Sequence, residues 1–168
     1  WMKSKRELGR KYVQKYIQVK PQITETVAKF TSNHFKASYI IGVHIRGTDF
    51  AYAYATPIES YFIELDKIIS EKGDQDIQIF LATDQTQYVT RFNDRYPNRV
   101  ITYDAIRSTN EIAPFRFQDS DNYKKGEDVL IDLLLLSKCD FLIKGAAAVG
   151  EVALWFNPTL KCTDFALD

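Results

Sequence analysis

Residues 39–49 read YIIGVHIRGTD and combine an apolar run with a polar end. The run from Tyr39 to Val43 is mostly β-branched or aromatic, which is typical of a strand buried on both faces of a parallel sheet. Polar side chains then follow at His44, Arg46 and Asp49. In open α/β sheets, ligands bind at the carboxyl ends of the strands. We therefore expect the binding site at this end of the strand.

The composition is that of an ordinary globular domain. The chain has 168 residues, of which 45% are hydrophobic and 26% are charged, and its formal net charge is zero. A neutral chain gives no global indication of a nucleic-acid partner. The longest apolar run, VLIDLLLL, is interrupted by Asp132 and is too short to span a bilayer. We therefore expect no nucleic-acid partner and no membrane span.

The charge is uneven, because residues 1–20 contain seven lysines and arginines against the single acid Glu7. This basic segment has helical spacing, and two interpretations remain open. The basic side chains form a solvated helix face, or they contact phosphates or a neighbouring domain. The first interpretation is favoured.

Cysteines and glycosylation motifs constrain the compartment only weakly. Cys139 and Cys162 form neither a disulfide framework nor a metal-ligand cluster, and their apolar neighbours predict reduced, buried side chains. No Asn-x-Ser/Thr sequence is present, since Asn157 is followed by Pro158. This slightly favours a bacterial cytoplasmic protein over one of the Golgi lumen.

Helix and strand patterns alternate along the chain, which predicts an α/β fold with a Rossmann-like open parallel sheet and helices on both faces. Thr56 is the expected N-cap of the third helix, with Glu59 completing a capping box. We expect one nucleotide-sugar-binding domain over 1–168, with N-terminal helices in 1–36 and the core in 37–168. The predicted helices are 4–19, 21–35, 56–72, 85–96, 126–139 and 147–156, the strands are 39–46, 77–83, 100–104, 140–145 and 160–165, and 105–125 is a long loop.

Arg46 and His44 are the first candidates for the site. An arginine just past a buried strand can donate two hydrogen bonds to a phosphate, and its structural alternative is a salt bridge to Asp49 or Asp84. His44 alternates with Val43 along the strand and points to the opposite face. A single strand histidine is more often a core residue than a ligand.

Three weaker candidates lie elsewhere in the chain. Asp132 interrupts an apolar helix, and it either accepts two N–H groups from a guanine edge or faces solvent. Asp84 follows the second strand, but it and Asp49 do not complete a metal site. The segment GAAAVG, residues 145–150, either presents free helix N–H groups to a phosphate or only permits close packing.

Together, GVHIRGTD, FLATD and GEDVLIDLLLLSKCDFLIKG resemble the motifs of fucosyltransferases of the core-fucosylating and rhizobial nodulation type. The resemblance runs from about Pro21 to Pro158. It implies the C-terminal, donor-binding half of a glycosyltransferase-B fold. It also implies an inverting transfer of fucose from GDP-fucose to a glycan hydroxyl, with no metal cofactor and with the acceptor bound by an N-terminal half that this sequence does not match.

The resemblance also assigns roles to individual residues. Arg46 would be the catalytic residue, binding the β-phosphate of GDP and stabilising the charge on the leaving group. His44 and Asp132 would recognise guanine, and Asp49 and Asp84 would shape the donor pocket. The backbone N–H groups of Ala146 and Ala147 would contact the phosphates.

At three places the sequence differs from the family pattern. Gly47 replaces a second arginine, Phe50 and Tyr54 replace a lysine and a glutamate, and the alanines at 146–148 replace a serine. These differences favour an alternative, a catalytically degenerate module that binds a nucleotide or glycan. A different α/β enzyme is disfavoured, because no Walker loop, GxGxxG or nucleophile elbow is present.

Overall fold

The computed structural model describes residues 2–49, 55–73, 75–118 and 121–167. Helices and strands alternate along most of the chain. The helices are α1 (Met2–Tyr16), α2 (Pro21–His34), α3 (Ile58–Lys72), α4 (Thr86–Arg95), α5 (Asn122–Leu136) and α6 (Ala148–Phe156). The strands are β1 (Tyr39–Ile45), β2 (Ile77–Thr83), β3 (Val100–Ile101), β4 (Phe141–Lys144) and β5 (Lys161–Asp164), and Pro114–Arg116 forms a 3₁₀ turn.

The five strands form one parallel sheet in the order β3-β2-β1-β4-β5. This is the strand order of a Rossmann-type sheet. Strands β2 and β3 lie on one side of β1, and the chain then crosses to the other side of β1 to form β4 and β5. His44 on β1 lies opposite Ala82 on β2 and Lys144 on β4. The predicted α/β architecture is confirmed.

Apolar cores lie on both faces of the sheet because side chains alternate along each strand. Ile41 and Val43 face α3 and α4, where Leu65 and Phe92 are fully buried. The opposite face of the sheet packs against α2, α5 and α6. His44 belongs to this second face, as its position in the strand predicts.

The N-terminal helices pack on that second face through their apolar residues. Helix α1 contacts α6 and buries Val13, while α2 contacts α5 and buries Ile23. Most of the basic side chains of α1 are exposed, including Arg10, which agrees with a solvated helix face. Arg6 is an exception, because it forms salt bridges with the core domain.

The predicted capping box at the start of α3 is wrong. Pro57 occupies the N-cap position, and no side chain caps the helix there. The Thr56 hydroxyl is hydrogen-bonded to Tyr61 instead, and Glu59 accepts a hydrogen bond from Arg91 at 2.8 Å. Thr56 therefore contacts a side chain of α3 itself and Glu59 pairs with α4, and neither forms the local cap.

Several predicted boundaries also differ from the structure: α1 ends at Tyr16 and not at 19, α5 ends at Leu136 and not at 139, and two larger differences follow β2. The third strand pairs only at residues 100–101, because it lies at the sheet edge and contacts β2 alone. Helix α5 begins at Asn122 rather than at Gly126, since the Asp121 side chain accepts a hydrogen bond from Tyr123 N–H and caps the helix. The predicted long loop is therefore shorter.

The two cysteines are unpaired, and one lies in a different environment from the predicted one. Cys139 is buried in the apolar core. Cys162 is only partly buried, and its sulfur lies 3.8 Å from Nη1 of Arg6. The predicted apolar environment is therefore wrong for Cys162, which lies between Lys161 and Thr163 in the sequence and contacts α1 in the structure. None of the described helices is long and apolar enough to cross a membrane.

Candidate functional site

A pocket of about 520 Å³ opens at the carboxyl ends of β1 and β2, beside the start of α6. This is the place where ligands bind in sheets of this topology. The pocket walls also include α5 and the segment before it. Among the predicted site residues, the pocket is lined by His44, Arg46, Asp84, Asp132 and Ala147.

His44 is a buried and neutral side chain of the pocket. Burial lowers its pKa to about 3, and the positive charges of Lys144 and Arg46 act in the same direction. Within the described residues, its Nδ1 atom has no hydrogen-bond partner. A neutral imidazole has one donor and one acceptor nitrogen, so His44 can hydrogen-bond a ligand without adding charge.

Asp132 is the second buried group in the pocket. Burial raises the pKa of Asp132 to about 7, although the positive charge of Arg107 opposes this effect. No described residue forms a hydrogen bond with its Oδ1 atom. A buried carboxylate oxygen without a partner is costly, so a ligand that donates to it would remove this cost.

Arg46 lies at the mouth of the pocket. Its Nε donates to the carbonyl of Thr48 at 2.9 Å, and its Nη2 lies 3.4 Å from the Asp49 carboxylate. Asp49 adopts a positive φ of 59° and also pairs with Arg116 at 3.2 Å. The Arg46 side chain is 39% exposed, so it can reach a bound anion. Asp49 does not line the pocket, but it contacts Arg46, which does.

Asp84 anchors the loop that follows β1. Its carboxylate accepts hydrogen bonds from the Gly47 N–H at 2.6 Å and from the Thr48 hydroxyl. Its backbone carbonyl accepts from Ser108 N–H at 2.8 Å. Asp84 therefore connects the end of β2 to the loop after β1 and to the segment at Ser108. The hydrogen bonds from Gly47 and Thr48 occupy both of its carboxylate oxygens.

The start of α6 forms another wall of the pocket, through residues 147–149. The first N–H groups of a helix have no partners within the helix and can bind an anion. The Ala147 N–H already donates to the carbonyl of Gly145 at 2.9 Å, and Ala146 is exposed beside the pocket. Gly150 is needed for packing, since an added Cβ would lie 3.0 Å from the Lys144 side chain.

Sequence reasoning missed three polar residues near Asp132. Asp128 is buried on the same face of α5 and accepts hydrogen bonds from Ile106 N–H at 3.0 Å and from Lys124. Arg107 donates to two backbone carbonyls, while its Nε is buried without a partner among the described residues. The i, i+4 spacing of Asp128 and Asp132 was a usable signal.

Two further sequence observations can be placed against the structure. Phe50 and Tyr54, the positions that differ from the family pattern, lie outside the described residues. Among the side chains that the structure describes, no group of three or more His, Cys, Asp or Glu is placed to hold a metal ion.

The sheet defines a Rossmann-like α/β domain with a pocket at the carboxyl ends of its strands. Residues 10–148 match the family model described as alpha-(1,6)-fucosyltransferase N- and catalytic domains. Because the match covers most of the chain, the protein belongs to this family.

Solved structures of fucosyltransferases have a similar fold. NodZ alpha-1,6-fucosyltransferase co-crystallised with GDP has a TM-score of 0.54 and 18% identity, over 81% of this chain and 41% of that one. NodZ from Bradyrhizobium has a TM-score of 0.55 and 18% identity, over 84% of this chain and 43% of that one. POFUT1 in complex with GDP has a TM-score of 0.58 and 12% identity, over 92% of this chain and 49% of that one.

A mutant of FUT1 from Arabidopsis thaliana, in complex with GDP, gives a TM-score of 0.53 and 15% identity, over 86% of this chain and 32% of that one. The present chain thus spans less than half of the length of these proteins. At such identities the similarity establishes the fold alone, which is that of the matching part of these proteins.

Proposed function

We propose that this domain is the donor-binding half of a fucosyltransferase and that its pocket binds the GDP part of GDP-fucose. The observation that carries the proposal is a pair of buried polar atoms without partners among the described residues, Nδ1 of His44 and Oδ1 of Asp132. Both residues line a pocket whose mouth carries Arg46. The similar folds of GDP-bound NodZ and POFUT1 support the same ligand.

Guanine fits the chemistry of Asp132. Guanine presents two adjacent N–H donors on one edge, and a carboxylate can accept both. Adenine and uracil each place an acceptor in that region, which a carboxylate repels. His44 would supply a further neutral hydrogen bond to the base or the ribose. The pocket should therefore prefer GDP over ADP and UDP.

The diphosphate fits Arg46 and the start of α6, which also line the pocket. The planar guanidinium of Arg46 can donate two parallel hydrogen bonds to phosphate oxygens. The first N–H groups of α6 lie at the same pocket, and the positive end of the helix dipole favours an anion there. We propose that these groups hold the diphosphate without a metal ion and that the Ala146 backbone contributes a contact, whereas the Ala147 N–H already donates to Gly145.

The reaction that we propose is a direct displacement. The acceptor hydroxyl oxygen forms a bond to the anomeric carbon of fucose while the bond from that carbon to the diphosphate oxygen breaks. GDP leaves with the electron pair, and Arg46 stabilises the negative charge that develops on it. The acceptor proton passes to a base of the acceptor-binding half or to solvent. One displacement inverts the anomeric carbon, and the acceptor would be a glycan.

Calorimetric titration in EDTA with GDP, ADP and UDP tests the proposal. We expect binding of GDP alone, and replacing Arg46 by alanine should weaken it by roughly 10- to 150-fold, since a hydrogen bond to a charged group contributes about 1.5–3 kcal/mol. Arg91→Ala, which removes an exposed arginine of α4, is the matched control. Equal affinity for the three nucleotides, or GDP binding unchanged in a folded Arg46→Ala variant, would contradict the assignment.

A second candidate is a nucleotide- or glycan-binding module without catalytic activity. The observation that favours it is the packing at Gly47, where an added Cβ would lie 2.2 Å from Oε1 of Gln85 and 2.6 Å from the Tyr88 ring. An arginine at this position would require the side chains of Gln85 and Tyr88 to move, so in their present arrangement they occupy the space that the family's second arginine would need. The assay uses a protein that contains this domain together with an acceptor-binding half. Release of fucose from GDP-fucose would exclude the second candidate, and GDP-fucose binding without turnover would favour it.

A further inference from the structure

A cluster of four charged side chains joins α1 to the end of the sheet next to the pocket. Arg6 donates to Glu151 through Nε at 2.9 Å and through Nη2 at 2.8 Å, and Nη2 also lies 2.6 Å from Asp164. Lys144 lies 2.8 Å from Asp164 and 3.4 Å from Glu151. Two positive and two negative charges therefore balance within one network.

This network is too well buried to be an ordinary surface salt bridge. The side chains of Lys144 and Asp164 are 3% and 5% exposed, and those of Arg6 and Glu151 are 21% and 20% exposed. Burial is the largest single effect and alone would raise the pKa of Glu151, but the hydrogen bonds and positive charges of Arg6 and Lys144 together outweigh it and lower the net pKa. Removing one partner of such a pair leaves the other charge uncompensated.

The network contacts the turn of α6 that lines the pocket. Glu151 lies in the first turn of this helix. An added Cβ on the preceding residue, Gly150, would lie 3.0 Å from the Lys144 side chain and 3.3 Å from Nδ1 of His44. Lys144 and His44 are paired across neighbouring strands. The start of α6 is thus packed onto His44 and Lys144 and tied at Glu151 to Arg6.

A second contact fixes α1 against the same helix. Gly9 lies so close to Trp155 of α6 that an added Cβ would be 2.5 Å from the indole ring. The backbone of α1 therefore rests on α6 one turn away from the Arg6 network. These two contacts give α1 a defined position relative to the pocket, although none of its residues lines the pocket.

We infer that Arg6 is a positioning residue, which holds the first turn of α6 in the orientation that presents its N–H groups to the diphosphate. This inference rests on the proposed GDP site, and it adds a residue from outside the sheet, 145 positions away from its partner Glu151. A purely stabilising salt bridge would instead affect the whole fold and all ligands equally.

Hydrogen exchange and nucleotide binding test the inference in the variants Arg6→Gln and Arg10→Gln. Both substitutions remove one positive charge from α1, but the Arg10 side chain is exposed and serves as the control. In Arg6→Gln we expect faster exchange at the amides of residues 151–156, which donate within α6, and unchanged exchange in α3. Arg6→Lys keeps the positive charge but lacks the planar guanidinium, so its α6 amides should exchange at an intermediate rate. This variant still tests the inference if Arg6→Gln does not fold.

The binding readout compares GDP with guanosine, which lacks phosphates. We expect Arg6→Gln to weaken GDP about fivefold, the effect of one anion at a helix N-terminus, and to leave guanosine unchanged. Equal losses for both ligands, or unaltered exchange in α6, would overturn the positioning role. If the unaltered protein does not bind GDP, the proposed function fails, and the exchange result alone then decides whether Arg6 positions α6.

Discussion

Replacing Asp132 by asparagine should affect ligand binding and fold stability in opposite directions. The carboxylate is buried, its Oδ1 has no described partner, and burial raises its pKa to about 7. Asparagine has nearly the same shape and removes the ionisable group. It replaces one acceptor oxygen by an NH₂ donor, which would meet the N–H groups of guanine.

The magnitudes follow from these two changes. Loss of a paired hydrogen bond to a base edge costs about 1–3 kcal/mol, so GDP affinity should fall roughly 5- to 150-fold. For the free protein, a folded-state pKa raised above the ordinary aspartate value means that stability is lost as pH rises towards 7. Asp132→Asn removes this penalty, which is worth up to ~4 kcal/mol at pH 8 for a shift of about three units.

The same titration predicts the pH dependence of binding. Guanine donors select the ionised carboxylate, so GDP should bind about tenfold more weakly for each pH unit below 7 and reach a plateau above it. The neighbouring charges of Arg107, Asp128 and Lys124 contribute to the position of the midpoint. His44, whose pKa is about 3, stays neutral throughout this range and adds no slope.

Urea unfolding at pH 5 and pH 8, together with GDP titrations across this range, measures both effects. Asp94→Asn, at an exposed carboxylate of α4, is the matched control and should change neither quantity. A variant at Asp132 that is less stable at pH 8 and still binds GDP normally would refute the reasoning. It would show that the carboxylate is a satisfied structural group and not a ligand contact.

Two further substitutions test the loop after β1. Gly47→Ala should destabilise the fold by about 1–3 kcal/mol in thermal unfolding, because the new Cβ would overlap Gln85, whereas Gly126→Ala, with open space around it, should not. Asp84→Asn should cost about 1–3 kcal/mol and weaken GDP binding, since the Gly47 N–H and the Thr48 hydroxyl lose a charged acceptor. Unchanged stability in Gly47→Ala or in Asp84→Asn would contradict the packing described for this loop.

Much of the fold was predictable because its signals are local. Apolar runs of strand length, helical spacing and Gly or Pro at the boundaries indicated the alternating elements, and the rule for parallel sheets located the ligand end of β1. The prediction was wrong where a distant partner replaced a local one. Glu59, which was expected to complete the cap at Thr56, accepts a hydrogen bond from Arg91 of α4, and the strand after Arg99 pairs with its neighbour β2 only at residues 100–101.

The candidate site was predictable only in part. His44, Arg46 and Asp132 were identified from their positions in a strand, a strand end and an apolar helix, and the structure brings them to one pocket. Asp128 lay one helical turn from Asp132 and could have been found from this spacing. Arg107 could not, because its contribution depends on how a loop packs against α5.

The sequence by itself determined the order of helices and strands and the face to which each apolar residue points, because these follow from backbone periodicity. Only the tertiary structure decided the charge states and the connections of the site. The pKa values of His44 and Asp132 depend on burial by segments that are distant in the chain. The contact of Arg6 with Glu151 likewise joins the two ends of the sequence, and no local pattern encodes such a pair.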